Sequence, residues 1–190
     1  MSTAMKNPCK VITGKNTVFS YLTVNEPKAP LGGGNPKYSV SLIIPKSDTE
    51  TVEKIRAAIR AAYEEGLGKL KGSSRNVPAL EDLKSPLRDG DKDRKGDGAY
   101  KDSWFINANS GTKPGVVDAD LNPILDSGEL YSGIIGRASI TFYAYNSNGN
   151  KGIAAGLNNL QKLRDGKPLG GRSRAEDDFA GLEEEDDFLG

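Results

Sequence analysis

Residues 131–146 read YSGIIGRASITFYAYN, and the alternation inside that stretch decides the fold class. Ala138, Ile140, Phe142 and Ala144 form an apolar set, while Arg137, Ser139, Thr141, Tyr143 and Tyr145 occupy the positions between them. A period of two belongs to a β-strand with one face on a core and the other towards solvent. The segment NKGIAAGLNNLQKLR (150–164) follows a turn at 146–150 and is predicted to pair back on it.

Upstream, KVITGKNTVFSYLTVN (10–25) is rich in β-branched and aromatic residues and predicts a long strand. In it Val18, Ser20, Leu22 and Val24 fall on one face, with Lys15, Thr17, Phe19, Tyr21 and Thr23 on the other. A Pro/Gly loop leads through Lys37 into a second strand, YSVSLIIP (38–45), stopped by Pro45, which lacks a ladder donor. Then Ser47 and Glu50 fit a capping box, and Val52, Ile55, Ile59, Ala62 and Tyr63 recur at helical spacing, with Gly66 placed as a left-handed cap. Residues 67–101 carry Gly, Pro and charge without a clear element, which predicts a functional insertion or mobile loop. DSWFINANS (102–110) and GVVD (115–118) add a strand each. The sum is a mainly β domain, an OB-fold-like barrel of five to six strands with one helix and a long charged loop, a β-sandwich being the competitor.

The charges are unevenly placed. The last sixteen residues, AEDDFAGLEEEDDFLG, hold eight of the 26 carboxylates and none of the 26 Lys and Arg. The body before them therefore has 26 cations against the remaining 18 carboxylates, about +8. A basic body points to a polyanionic partner, and an acidic stretch punctuated by Phe179, Leu182, Phe188 and Leu189 points to an interaction tail, disordered in isolation.

Other chemistries are poorly supplied. The chain has no His and the single Cys9, so zinc ligand sets, His-based triads and an internal disulfide are absent. In RDGDKDRKGDGAY (88–100) the carboxylates Asp89, Asp91 and Asp93 start a calcium-loop pattern, but Arg94 stands where glycine is needed and Tyr100 where the bidentate Glu belongs. No phosphate loop is completed. No catalytic residue, metal or cofactor is predicted. No apolar run is long enough to span a bilayer, and the N-terminus lacks the apolar core of a signal peptide, which places the protein in the cytoplasm without a membrane partner.

The outward face of 136–146 is a poor core and a good stacking platform, because bases stack on rings whatever their identity while cations follow the phosphates. Arg137, Tyr143 and Tyr145 are the candidates there, and Lys15, Phe19 and Tyr21 offer a matching face if the two strands adjoin. Lys37, Lys101 and Lys151 flank strands and suit phosphates, as do Lys113, Lys162 and Arg164. Trp104, the sole tryptophan, shares a face with Ile106 and Ala108, so both core and stacking readings stand. Outward tyrosines also stabilise sheets by cross-strand pairing, with no ligand involved.

The segments YSVSLIIPKSDTETVEKIRAAI, SWFINANSGTKPGVVD, FYAYNSNGNKGIAAGLNNLQKLRDGKPLGG and AEDDF, in that order, resemble a phage-encoded single-stranded-DNA-binding protein family, the NKGIAAGLNNLQKLRDG run being the most specific part. The resemblance implies an OB-fold, sequence-tolerant binding of single strands, and a role in phage DNA replication or recombination in the host cytoplasm. The plan of domain plus acidic tail is similar to bacterial and short-tailed-phage single-strand binders, whose tails end in acids and a terminal aromatic. Here Phe188 is followed by Leu189 and Gly190. The expected organisation is a nucleic-acid-binding domain at 1–164, a linker at 165–174 and an acidic tail at 175–190. In the tail Asp177, Asp178, Phe179, Asp186, Asp187 and Phe188 compete for the groove and recruit phage or host replication proteins. Two rivals are a phage structural or assembly protein with an acidic docking tail, and a nuclease-like enzyme holding magnesium in the 89–97 loop.

Overall fold

A computed structural model describes residues 6–29 and 32–169. Its elements run β1 (Lys10–Ile12), β2 (Thr17–Lys28), β3 (Lys37–Pro45), α1 (Thr49–Glu65), α2 (Leu67–Lys71), β4 (Arg88–Asp89), α3 (Gly90–Asp93), β5 (Ser103–Ser110), β6 (Gly115–Val117), β7 (Ile135–Ser147) and β8 (Asn150–Arg164). The eight strands exceed the five to six expected. The stretch 10–25 breaks at residues 13–16 into β1 and β2, and the charged loop contributes the two-residue β4.

Five strands pair in a ring. β2–β3, β3–β5, β8–β7 and β7–β2 are antiparallel, and β5–β8 is parallel. The β7–β2 ladder has two residue pairs, Thr17–Gly136 and Val18–Ile135, and the β5–β8 ladder has Ala108–Ala155 and Asn109–Gly156. These short ladders make the barrel partly open, as in OB-folds. β1 lies outside the ring on β7, pairing Lys10 with Thr141 and Ile12 with Ser139.

The core follows the alternation. Ala138, Ile140, Phe142 and Ala144 of β7 face inward with Val40, Leu42 and Ile44 of β3, Ile106 and Ala108 of β5, and Ile153, Ala155, Leu157 and Leu160 of β8. Each Val, Leu, Ile or Phe among them contributes roughly 1.5–3 kcal/mol on burial, the alanines less. α1 closes the core with Val52, Ile55, Ala58, Ile59 and Ala62. Its N-cap is Asp48, one residue beyond the expected Ser47; the carboxylate accepts from the Thr51 N–H at 3.3 Å and the Thr51 hydroxyl at 2.7 Å. Gly66 ends the helix at φ −100°, so it is not the left-handed cap expected. Glycine is needed there for another reason: a Cβ would collide with the Cβ of Ala144 on β7.

The insertion 67–101 is built rather than loose. Leu70 and Tyr100 are buried, and Tyr100 meets Phe105 edge-on with ring centroids 5.1 Å apart. With Ile43 these rings form a second cluster on the outer face of β3 and β5, where the Tyr100 hydroxyl meets the Ser41 hydroxyl at 3.0 Å. Lys46 completes the fastening, pairing with Asp89 at 2.9 Å and Asp91 at 2.8 Å.

Candidate nucleic-acid interface

Residues paired across a sheet share a face. One row therefore runs Thr23 (β2), Ser39 (β3), Asn109 (β5), Gly156 (β8), Thr141 (β7), Lys10 (β1), following the register from strand to strand. The next holds Ser20, Ser41 and Asn107, with Ala154 beside Tyr143; Ser20 and Ser41 are buried, Ser41 under the Tyr100 hydroxyl, so Asn107 is the accessible member on that side. Their neighbours in sequence, Val40, Ala108, Ala155, Ile140 and Val11, are buried, so the rows lie on the outside of the barrel. Five inter-strand steps make a belt about 24 Å long. β3, β5, β7 and β8 contain no Asp or Glu at all.

Aromatic groups stand at both ends of this belt. Tyr143 is 45% exposed on β7. The Tyr145 ring lies across the strand onto Gly152, where a Cβ would sit 2.6 Å from its hydroxyl oxygen. At the other end Tyr21 is 59% exposed with φ +47°, in a bulge between the Ser20 and Thr23 registers. The Arg94 guanidinium stands 5.4 Å from the Tyr21 ring centroid, 5.2 Å from Tyr100 and 5.6 Å from Phe105. Arg88 and Lys46 each have carboxylate partners, whereas Arg94 forms no ion pair among the described residues. Lys28 and Lys37 stand directly opposite each other where β2 meets β3, a like-charge pair that destabilises the sheet locally.

Several expected contacts need correction. Phe19 is fully buried, because the bulge shifts the parity of β2 and leaves Phe19 and Val24 inside while Tyr21 points out. β2 and β7 touch only at one end, so Tyr21 and Tyr143 are joined through β3, β5 and β8 rather than side by side. Trp104 packs against the main core with Lys46 and Arg56 each 5.2 Å from its ring centroid, away from the belt. Lys162 is 8% exposed and paired with Glu129 at 2.7 Å and Asp165 at 2.8 Å, so it is not offered to phosphate. Burial lowers its pKa, but the bonds to Asp165 and Glu129 outweigh that and hold it above the ordinary lysine value.

The remaining cations are distributed around the belt. Lys37 opens β3 and is exposed, as are Arg137 on β7, Lys15 in the β1–β2 turn and Lys101 before β5. Lys151 is half-buried, its ammonium donating to the Ser74 hydroxyl at 2.8 Å. Arg94 and Lys10 are the charged members that sequence reasoning missed; Arg94 lies in an ordinary charged run with no periodic signal, and Lys10 is a lone lysine between Cys9 and Val11 at the start of a strand. Asp177, Asp178, Phe179, Asp186, Asp187 and Phe188 lie outside the described residues.

The sequence profile of a family described as the single-stranded-DNA-binding protein of Enterobacter phage Enc34 matches residues 9–189. This chain belongs to that family. Another similar protein is the putative protein p50 of Acyrthosiphon pisum secondary endosymbiont phage 1, 34% identical over 181 residues that cover 90% of this chain and 95% of the relative. Among solved structures, the Enc34 single-stranded-DNA-binding protein in complex with ssDNA superposes with a TM-score of 0.71 at 24% identity, covering 85% of this chain and 90% of that one. The single-stranded DNA binding protein gp2.5 of bacteriophage T7 gives 0.55 at 18% identity, covering 90% and 92%. The Enc34-family chain thus shares its fold with both.

Proposed function

We propose that this chain binds single-stranded DNA without sequence preference, through the outer belt of its barrel, in phage DNA replication or recombination within the host cytoplasm. The observation that carries the reading is a belt whose β3, β5, β7 and β8 strands hold no carboxylate and which connects Tyr21 and Arg94 at one end to Tyr143 at the other. The hydroxyls of Thr23, Ser39 and Thr141 and the amides of Asn107 and Asn109 along its floor suit sugar and phosphate oxygens, and the terminal rings suit bases of any identity. Membership of the Enc34 family supports the same conclusion. The chain holds strands and performs no reaction on them; Asp89 and Asp91, the acids a magnesium reading would use, are engaged by Lys46. Among the described residues no helix is long and apolar enough to cross a membrane.

The eight carboxylates of residues 175–190 supply a tethered competitor for the belt. Their tether begins well placed: Leu169 packs against the cluster of Ile43, Tyr100 and Phe105, over two of whose rings the Arg94 guanidinium stands. Strand binding displaces the tail and frees it for phage or host replication proteins. Fluorescence anisotropy with labelled oligo-dT tests the reading. Binding should exceed that of a duplex of equal length. If about five phosphates are neutralised, log K should fall against log salt with a slope near −3.5. Absence of binding in dilute buffer refutes it.

A further inference from the structure

We propose that the segment after β6 and the groove beside β1 are the two halves of one contact, by which successive copies of this chain join head to tail along a bound strand. The contact rests on the function proposed above and adds to it the neighbour that shares the strand. Six large apolar side chains are exposed among the described residues. Tyr21 and Tyr143 belong to the belt, and Leu67 lies on α2. The other three are Leu121 and Leu125 after β6, 70% and 93% exposed, and Ile12 on β1, 48% exposed. Two bare leucines on a fixed segment mark an interaction surface. The segment is fixed: the Asp118 N–H donates to the Asn122 carbonyl and the Ile124 N–H to the Val116 carbonyl, each at 2.9 Å.

Charge selects the occupant. Around Leu125 the cleft between this segment and the end of β8 is lined by Asp118, Asp120, Asp126, Glu129 and Asp165, against Lys162 and Arg164. The groove between β1 and α1, about 660 Å³, is lined by Lys6, Lys10, Lys54 and Ile12 and by no carboxylate. Of its three lysines, Lys54 alone has an ion-pair partner among the described residues, the exposed Glu50 one turn earlier. An acidic projection bearing leucines and a basic groove bearing an isoleucine match in both charge and polarity.

Topology sets the direction. β1 and β6 are the terminal strands of the sheet order. The register Ile12–Ser139–Asn159–Gly115 crosses β1, β7, β8 and β6 in one line, so the two halves stand at opposite edges, three strand spacings or about 14 Å apart. The belt runs alongside that line through Gly156, Thr141 and Lys10, two to three residues or about 7–10 Å away. A contact between opposite edges repeats as an open chain of copies, and here the chain advances in the direction of the belt. With three apolar side chains at its centre the contact is small, and the shared strand supplies the effective concentration it needs.

Anisotropy titrations of the full-length protein test the contact by comparing a short oligo-dT that holds one copy with poly-dT that holds many. The unaltered chain should bind poly-dT at least about tenfold more tightly per site. Leu125→Ser and Ile12→Ser should each bring that ratio towards one while leaving short-oligo affinity within about twofold. Asp120→Lys and Lys6→Asp should each lower the ratio, and the two together should recover it, which a mere loss of basic charge would not do. Carbodiimide coupling in an isotopically mixed sample should join residues 118–126 of one copy to Lys6 or Lys54 of another, and only with poly-dT present. A ratio that survives both Leu125→Ser and Ile12→Ser, a ratio of one in the unaltered chain, or coupling of Lys6 and Lys54 to residues 175–190 in place of 118–126 would each overturn the proposal. Failure of the underlying function is read separately, as absence of short-oligo binding by the unaltered chain.

Discussion

Tyr21 shows how a single residue can be set against its own fold. A bulky side chain at positive φ costs on the order of 1–3 kcal/mol, and Tyr21 occupies that region while more than half exposed. Its ring buries little, so packing does not account for the strain; an outward-facing stacking surface does. Tyr21→Gly should therefore leave the melting temperature unchanged or raise it, yet weaken oligo-dT binding. Tyr21→Ala and Tyr143→Ala should each cost about 1–3 kcal/mol in binding, roughly 5- to 150-fold. Phe19→Ala should do the reverse, losing about 3–5 kcal/mol of stability by emptying a core site. Thermal unfolding beside anisotropy titrations separates the two behaviours, and a Phe19 variant that melts normally would contradict its placement. Tyr143 was legible because alternation along β7 is unbroken over the stretch that contains it. Phe19 was not, since nothing in FSYLT marks the bulge that reverses its direction.

At the level of elements, the insertion between α2 and β5 is attached to the barrel by Lys46 together with the Tyr100 cluster. Hydrogen bonds from Lys46 hold both Asp89 and Asp91 below the ordinary carboxylate pKa, and donating to Asp91 and Asp89 raises Lys46 above the ordinary lysine value. Carboxylates with depressed pKa stabilise the folded state fully above about pH 5 and lose that contribution as pH falls through their folded values. A lysine with a raised pKa contributes below about pH 10 and loses its contribution as pH rises through the raised value. Hydrogen exchange across residues 88–105 should thus be slowest, after correction for intrinsic rates, on a plateau between these limits. It should quicken towards acid before the barrel strands respond. Lys46→Met should abolish the acid limb and weaken oligo-dT binding, because it frees two carboxylates near Arg94; an unchanged acid limb would remove Lys46 from this role. The sequence gives long strands and the helix readily through their periodicity. It hides this insertion because the attachment depends on one lysine forty-odd residues from its partners, and no local pattern records such a distance.

For the whole molecule, ring closure was the least legible feature. The strands of the ring were individually foreseeable, but the parallel contact of Ala108 and Asn109 with Ala155 and Gly156 is a non-local event. That contact joins the β2–β3–β5 face to the β7–β8 face and makes one belt from two aromatic ends. Charge separation, by contrast, was open to counting, with about +8 on the body and eight carboxylates on the final sixteen residues. A tethered competitor acts at an effective concentration set by its linker, so its effect depends on electrostatics and not on protein concentration. Removing residues 175–190 should tighten oligo-dT binding, most at low ionic strength, where the Debye length is about 30 Å at 0.01 M and the carboxylates reach the belt unscreened. The affinities of the full and shortened chains should converge as salt rises towards 1 M, where screening falls to about 3 Å. Salt also weakens the DNA contacts themselves, so the ratio of the two affinities is the informative quantity. If that ratio stays at one throughout the titration, the tail does not compete and the charge separation serves some other partner.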